Sequence, residues 1–325
     1  APETDAPTET EAPTETTSPE ELAAQEILDG MTLDEKLCQL FVVTPDALTG
    51  LSPATAAGDA TREALERTPV GGLVYFAQNI VSAEQVTQML QTTQSYSKIP
   101  LLLGVDEEGG TVSRMPEEVD GVPSAYRFGQ IADPDQRMDA CFELGQTLAA
   151  ECAAFGFNMD FAPSLDIWSN PDNTVIGDRA FGNDWEWTAF FGMSAVEGME
   201  KQGTVIPVVK HFPGHGDTAV DSHTALPVVD KTLEDLWQSE LVPFDMVLSG
   251  QFWGEPVMEP TPAVMVAHIL LSQIDPDNPA SLSPEVVTGL LREEMGYEGV
   301  VCTDDLTMGA ISNTYGMGEA AVLAV

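Results

Sequence analysis

Three of the four histidines in this chain of 325 residues, His211, His215 and His223, lie in one stretch, Lys210-His211-Phe212-Pro213-Gly214-His215-Gly216-Asp217-Thr218-Ala219-Val220-Asp221-Ser222-His223. The stretch follows a strand-like apolar run, Val205 to Val209, and from Pro213 to Leu226 neither a period-2 nor a 3.6-residue apolar repeat continues. Pro213, Gly214 and Gly216 would break a helix, so a long loop is expected, and such loops in compact domains are more often functional than idle. Asp221 and His223 are two apart, which in extended chain turns both to one side. The carboxylate can then hold the imidazole in one tautomer and stabilise its charged form, which makes a proton shuttle. His211, His215, Asp217, Asp221 and His223 also contain enough ligand types for zinc or a two-metal site. The spacing speaks against metal, because Pro213 and Gly214 keep His211 and His215 off a common helix face and no strand carries a His-x-His pair.

Other polar residues stand at the ends of apolar runs. Asp304 follows Gly299-Val300-Val301-Cys302, and a partly desolvated carboxylate at the end of a core strand can serve as a nucleophile if donors keep it charged. Its neighbour Asp305 fits better as a cap for the next helix. Asp106 ends the run from Leu101, Asp166 and later Arg179 follow the fourth run, Lys210 and His211 the fifth, and His268 the sixth.

The elements that must hold these groups alternate. Strand-like runs occur at Leu40–Val43, Gly72–Phe76, Leu101–Asp106, Asn158–Ala162, Val205–His211, Val264–Ile269 and Val300–Asp304. Amphipathic segments at Ala83–Ser97, Pro134–Phe155, Trp185–Lys201, Leu233–Ser249 and Ser283–Met295 separate most of them, the rhythm of a parallel sheet with helices outside. A doubly wound sheet would accept seven strands, but no Gly-rich phosphate fingerprint follows the first. Polar residues at five strand ends favour an α/β fold of the (β/α)8 TIM-barrel type, whose chemistry sits at the carboxyl ends of its strands. Only seven strands precede the final helical segment, Gly318 to Val325, so the barrel is expected to lack its eighth strand and to expose two sheet edges.

Twelve Lys and Arg stand against 53 Asp and Glu, a formal net charge of −41, which gives the wrong sign for nucleic-acid binding. No apolar run approaches the roughly 20 residues of a membrane-spanning helix. Residues 1–19, rich in Pro, Thr and Glu, cannot repay the entropy of ordering and read as a disordered acidic linker before a catalytic domain at 20–325. A spacer of this kind, after an initial Ala, fits an exported or cell-surface-attached bacterial protein. Helices are expected from Pro19 and, by the capping box Thr32-Leu33-Asp34-Glu35, from Leu33. The four cysteines, in apolar contexts without a C-x-x-C pair, read as buried thiols.

The stretch from Lys210 to Thr218, with Asp221-Ser222-His223, resembles the signature of the β-N-acetylhexosaminidase branch of glycoside hydrolase family 3. Asp106-Glu107-Glu108-Gly109-Gly110, the loop Ile176-Gly177-Asp178-Arg179-Ala180-Phe181-Gly182 and the segment Cys302 to Met308 are similar to further segments of that family. The resemblance implies a retaining glycosidase acting on terminal β-linked N-acetylglucosamine from peptidoglycan or chitin. Asp304 would be the nucleophile and His223, oriented by Asp221, the acid and base on a mobile loop. Asp106, Arg179, Lys210 and His211 would bind the sugar, with no metal or other cofactor. Gly214 and Gly216 would be the joint between fixed and moving halves of the loop, and the protein is expected to be a monomer. Phosphorolysis on the same fold and a non-catalytic sugar-binding domain are the alternatives. Departures from the family are Glu107 for glutamine, Thr111 for arginine, and an apparent insertion at Gln251–Pro260, whose aromatics Phe252 and Trp253 could rim the cleft or form a lid.

Overall fold

The computed structural model describes residues 18–252 and 254–325. Seven strands, β1 (Val42–Val43), β2 (Gly72–Tyr75), β3 (Leu102–Val105), β4 (Met159–Asp160), β5 (Ile206–Phe212), β6 (Ala263–Val266) and β7 (Val300–Thr303), pair in chain order, each parallel to the next. These are the seven apolar runs of the sequence, most of them shortened, with β5 reaching one residue further, to Phe212, and β6 starting one earlier, at Ala263. The sheet curls into an incomplete (β/α)8 barrel whose edges are β1 and β7. Its open edges leave Val42 at 37% and Val300 at 61% exposure, as expected where no eighth strand pairs with them.

Alternation along the strands sorts the side chains. Met159, Phe161, Val208, Ala263 and Met265 pack together with Val74, Leu102, Ile206 and Cys302, a cluster without helix residues, and so fill the lumen. Leu73, Tyr75, Leu103 and Val105 face outward onto Val86, Leu90, Ala149, Cys152 and Phe155 of the helices Ala83–Tyr96 and Pro134–Phe155. Each such fully buried large side chain stabilises by roughly 1.5–3 kcal/mol.

Helix Pro134–Phe155 shows why the helical segments begin and end where they do. Asp133 Oδ1 accepts from the N–H groups of Asp135 and Gln136, Pro134 takes the first position, and Gly156 closes the end at φ +101°. The Thr32–Glu35 capping box is present, and a second one, Ser18–Glu21, starts helix Pro19–Gly30. Of the expected linker 1–19, residues 1–17 lie outside the described residues, and Pro19 opens the helix as expected.

Four expectations need correction. Leu233–Ser249 is two helices, Leu233–Trp237 and Leu241–Ser249, because Pro243 has no N–H and its ring crowds the carbonyl of Ser239. Ser283–Met295 is helical over Glu285–Glu294 in the wider π winding, with Met295 N–H on Leu290 O at 2.9 Å. The Gln251–Pro260 insertion is a hairpin (Gln251–Phe252 with Glu255–Pro256) between a helix and the amino end of β6, opposite the strand ends that carry the polar residues. Phe252 packs on Phe190, 5.1 Å between ring centroids, and rims no cleft there; Trp253 lies outside the described residues. Of the cysteines, Cys141 and Cys152 are buried, but Cys38 and Cys302 are only half-buried, one on a helix that buries no residue and one on edge strand β7.

Candidate active site

Past β3 the alternation continues, so Asp106 and Glu108 turn to the lumen side and Glu107 to the helix side. From β5, Lys210 Nζ reaches Asp106 Oδ1 at 2.7 Å and Glu108 Oε1 at 2.6 Å. Arg179 grips Glu108 with two prongs, Nε on Oε2 at 2.9 Å and Nη2 on Oε1 at 2.8 Å, while Nη1 bonds Val175 O. Burial alone would raise the Glu108 carboxyl, but the charges of Lys210 and Arg179 hold it well below the usual carboxylate range. The same pairing raises Lys210 and Arg179 against burial that would lower them, so all three stay charged.

A one-residue bulge in β5 brings His211 into the same array. Val208 and Val209 pair with Ala263 and Val264, yet Phe212 pairs with Val266, so the extra residue lets Lys210 and His211 both serve the site. His211 Nε2 lies 3.1 Å from Arg179 Nη2, which can only donate, so Nε2 accepts and the proton sits on Nδ1. Nδ1 donates to Asp166 Oδ2 at 2.6 Å. Asp166 also accepts Ser164 Oγ and the His215 N–H; despite burial, His211 and His215 hold its carboxyl down at about 2.

Asp304 follows directly on β7, half-buried, its Oδ1 accepting the Asp305 N–H at 2.8 Å. Burial opposes its charge, but His211, His268, that N–H and Lys210 favour it, and the carboxyl is lowered. Asp305 accepts the Thr307 N–H at 2.8 Å, a turn-forming role as expected. His268 is buried with both ring nitrogens engaged: Nε2–H donates to Asp305 O at 3.0 Å and Nδ1 accepts from Ser281 Oγ at 2.6 Å. It steadies the Asp304 loop from behind.

Asp221 and His223 form the expected pair, His223 Nδ1 lying 2.8 Å from Asp221 Oδ1, with side chains 66% and 43% exposed for His223 and Asp221. Burial disfavours the Asp221 charge slightly, but its bonds from His223 lower the carboxyl. Their segment is stitched to the chain beyond Asp304: Gly309 N–H donates to His223 O at 3.1 Å and Ala310 N–H to Ser222 O at 3.0 Å. A Cβ on Gly309 would stand 2.7 Å from His223 O. Ser222 itself is buried, its Oγ 3.1 Å from His215 Nε2, while His215 Nδ1 meets Thr218 Oγ1 at 2.8 Å.

The glycines do not form the expected joint. A Cβ at Gly216 would lie 1.8 Å from Ile167 O and one at Gly214 would meet Glu240, so both allow close packing of a pinned segment. Asn170 Nδ2 to Asp217 O and Thr218 O, and Asn173 Nδ2 to His215 O, hold it further. Any freedom of the loop therefore begins after Thr218.

All seven candidate residues, Asp106, Arg179, Lys210, His211, Asp221, His223 and Asp304, thus stand at the carboxyl end of the sheet, Lys210 and His211 on β5 and the others on the segments that follow the strands. Glu108 and Asp166, which hold Lys210, Arg179 and His211 in place, had no assigned part. The period of two from Asp106 would have placed Glu108 in the site. Thr111, the departure from arginine, bonds Asp178 at 3.3 Å. Among the described residues no three His, Cys, Asp or Glu side chains are grouped to hold a metal ion.

Residues 32–325 match the family described as Glycosyl hydrolase family 3 N terminal domain. The beta-hexosaminidase of Idiomarina loihiensis is 36% identical over 264 residues, 81% of this chain and 76% of that protein. The beta-hexosaminidase A of Pseudoalteromonas piscicida is 33% identical over 292 residues, and this chain spans 46% of its length. A solved family 3 β-N-acetylglucosaminidase from Paenibacillus sp. superposes with a TM-score of 0.82 at 40% identity, covering 91% of this chain and 53% of that one. The chain belongs to glycosyl hydrolase family 3.

Proposed function

We propose that the protein is a retaining β-N-acetylglucosaminidase that removes terminal β-linked N-acetylglucosamine from peptidoglycan- or chitin-derived sugars, as an exported or surface-attached monomer. The observation that carries this reading is the placement of Asp304 at a strand end, its carboxyl lowered by His211, His268 and Lys210, with the chain just beyond it joined by two backbone bonds to the Asp221–His223 segment. Relatives named beta-hexosaminidase support it, as does a similar structure, 31% identical, of NagZ from Neisseria gonorrhoeae in complex with N-trifluoroacetyl-D-glucosamine.

In the first step an Asp304 oxygen attacks the anomeric carbon and forms a glycosyl ester, while His223 gives its Nε2 proton to the departing oxygen. Asp221, bonded to Nδ1, keeps the proton for delivery on Nε2 and offsets the charge of the imidazolium. In the second step His223 takes a proton from water, whose oxygen attacks the same carbon and frees Asp304. Asp106, Lys210, Arg179 and His211 hold the sugar hydroxyls, and such bonds accelerate the reaction where they strengthen as positive charge develops on the ring. The exposed His223 must approach Asp304 when sugar binds.

Turnover of an aryl and a disaccharide N-acetylglucosaminide tests the assignment. Asp304→Ala should abolish both, and His223→Ala should cost the disaccharide far more than the activated aryl substrate. Equal losses on the two would remove His223 as the acid, and sugar 1-phosphate formed in the presence of phosphate would replace hydrolysis by phosphorolysis.

A further inference from the structure

Among the described residues two buried side-chain polar atoms have no hydrogen-bond partner, Glu107 Oε1 and Asp160 Oδ2. Both side chains are at 0% exposure, behind the sheet from the sugar-binding array. The remaining oxygens are taken by donors. Asp160 Oδ1 accepts the Glu107 N–H at 2.9 Å, and Glu107 Oε2 accepts Ser113 Oγ at 2.7 Å and the Arg114 N–H at 2.9 Å. On each carboxyl the oxygen left over is therefore the one on which a proton would sit.

The surroundings offer little to balance two anions. Helix Pro134–Phe155 presents the Cys152 thiol, a weak and neutral donor toward Asp160, and Glu151, whose carboxyl is itself pushed up to about 7 by burial and by Glu107. From the sheet, Asp106 adds to the negative charge near Asp160, and Lys210 alone opposes it while committed to Asp106 and Glu108. An unpaired buried carboxylate is costly, and two together more so. Burial raises both carboxyls, and for Asp160 the charge of Glu107 raises it further.

We propose that Glu107 is a positioning residue, carried as a neutral acid against Asp160, and that ionising this pair unseats Asp106 and Glu108 from the sugar-binding array. The connection is covalent and short. Glu107 lies between those two residues, and its side chain ties them to Ser113 and Arg114 across a turn closed by Glu108 N–H to Val112 O at 2.8 Å. Two anions at this spot can separate only if the turn shifts, and Asp106 and Glu108 shift with it. The link to sugar binding rests on the function proposed above; the protonation of the pair does not.

Infrared difference spectra of the ligand-free protein at neutral pH, wild type against Glu107→Gln, test the protonation directly. Glutamine keeps an acceptor for Ser113 and Arg114 and puts an N–H group in place of Oε1. The expected result is a protonated-carboxyl C=O band present in the wild type and lost in the variant; loss of carboxylate bands alone would overturn the proposal. Asp160→Asn provides the same comparison should E107Q fold poorly. Amide exchange over residues 106–114 then reads the positioning without substrate: alkaline pH should loosen this segment more in the wild type than in E107Q. In turnover assays the alkaline rise of KM should be lost in E107Q with kcat unchanged. Equal loosening in the two proteins would show that Glu107 does not position the turn, whereas absence of turnover in the wild type would count only against the proposed function.

Discussion

Glu107 and Glu108 are neighbours of the same type, buried to nearly the same depth, at 0% and 5% exposure. Glu108 meets Lys210 and both prongs of Arg179 and is driven to ionise; Glu107 meets only neutral donors, Ser113 and backbone N–H groups, and burial drives it to keep its proton. One step along the chain rotates the side chain through the sheet, from a face with cations to a face with another acid. Depth alone therefore fixes neither charge; what stands opposite each carboxyl decides it.

The largest way to break this comparison is Glu108→Ala. It leaves two buried cations facing each other, and stability should fall by about 3–5 kcal/mol with loss of turnover. Chemical denaturation measures it, and a loss as small as that of a surface pair would mean that Glu108 is not the hub. A pH series of the same unfolding curves sets the two residues against each other. Glu108 has a lowered carboxyl, so its stability is present above the unfolded value of about 4 and disappears as pH falls below it. Glu107 is raised, so its contribution is complete below that value and disappears as pH rises. Wild type minus E108Q and wild type minus E107Q should thus slope in opposite directions; slopes of one sign would end the contrast.

Two milder changes sharpen it. Arg179→Lys keeps the charge but not the fork, and should raise KM about tenfold, the equivalent of about 1.4 kcal/mol, with kcat little altered. Ser113→Ala removes one donor from Glu107 while Arg114 N–H remains, and should cost about 1 kcal/mol at neutral pH. A larger loss that grows with pH would show that Glu107 is charged.

Much of this was legible in the chain. Apolar runs of four to seven residues between helical segments found every strand of the seven-stranded sheet, because a parallel sheet covered on both faces writes itself as continuous hydrophobic sequence. Polar residues ending those runs found Asp106, Lys210, His211 and Asp304 for the same reason. What escaped were relations across the fold. Asp166 was visible at a strand end, but its grip on His211 and His215 depends on two strands lying side by side. Gly216 looked like freedom because nothing local reveals that the Ile167 carbonyl presses on it. The hairpin at Gln251 was legible in principle, since a segment between helix and strand opens on the face away from the chemistry.

The bulge in β5 has a consequence for how this stretch can change. Lys210 and His211 occupy the space of one residue in register with β6. Substituting either removes one contact set. Deleting either would even out the register and swing the survivor or its neighbour toward the helices, so that a loss of one residue would disconnect Asp106, Glu108 and Asp166 together. Length, more than identity, is what this segment must conserve, and natural or designed variants should vary here by exchange and never by deletion.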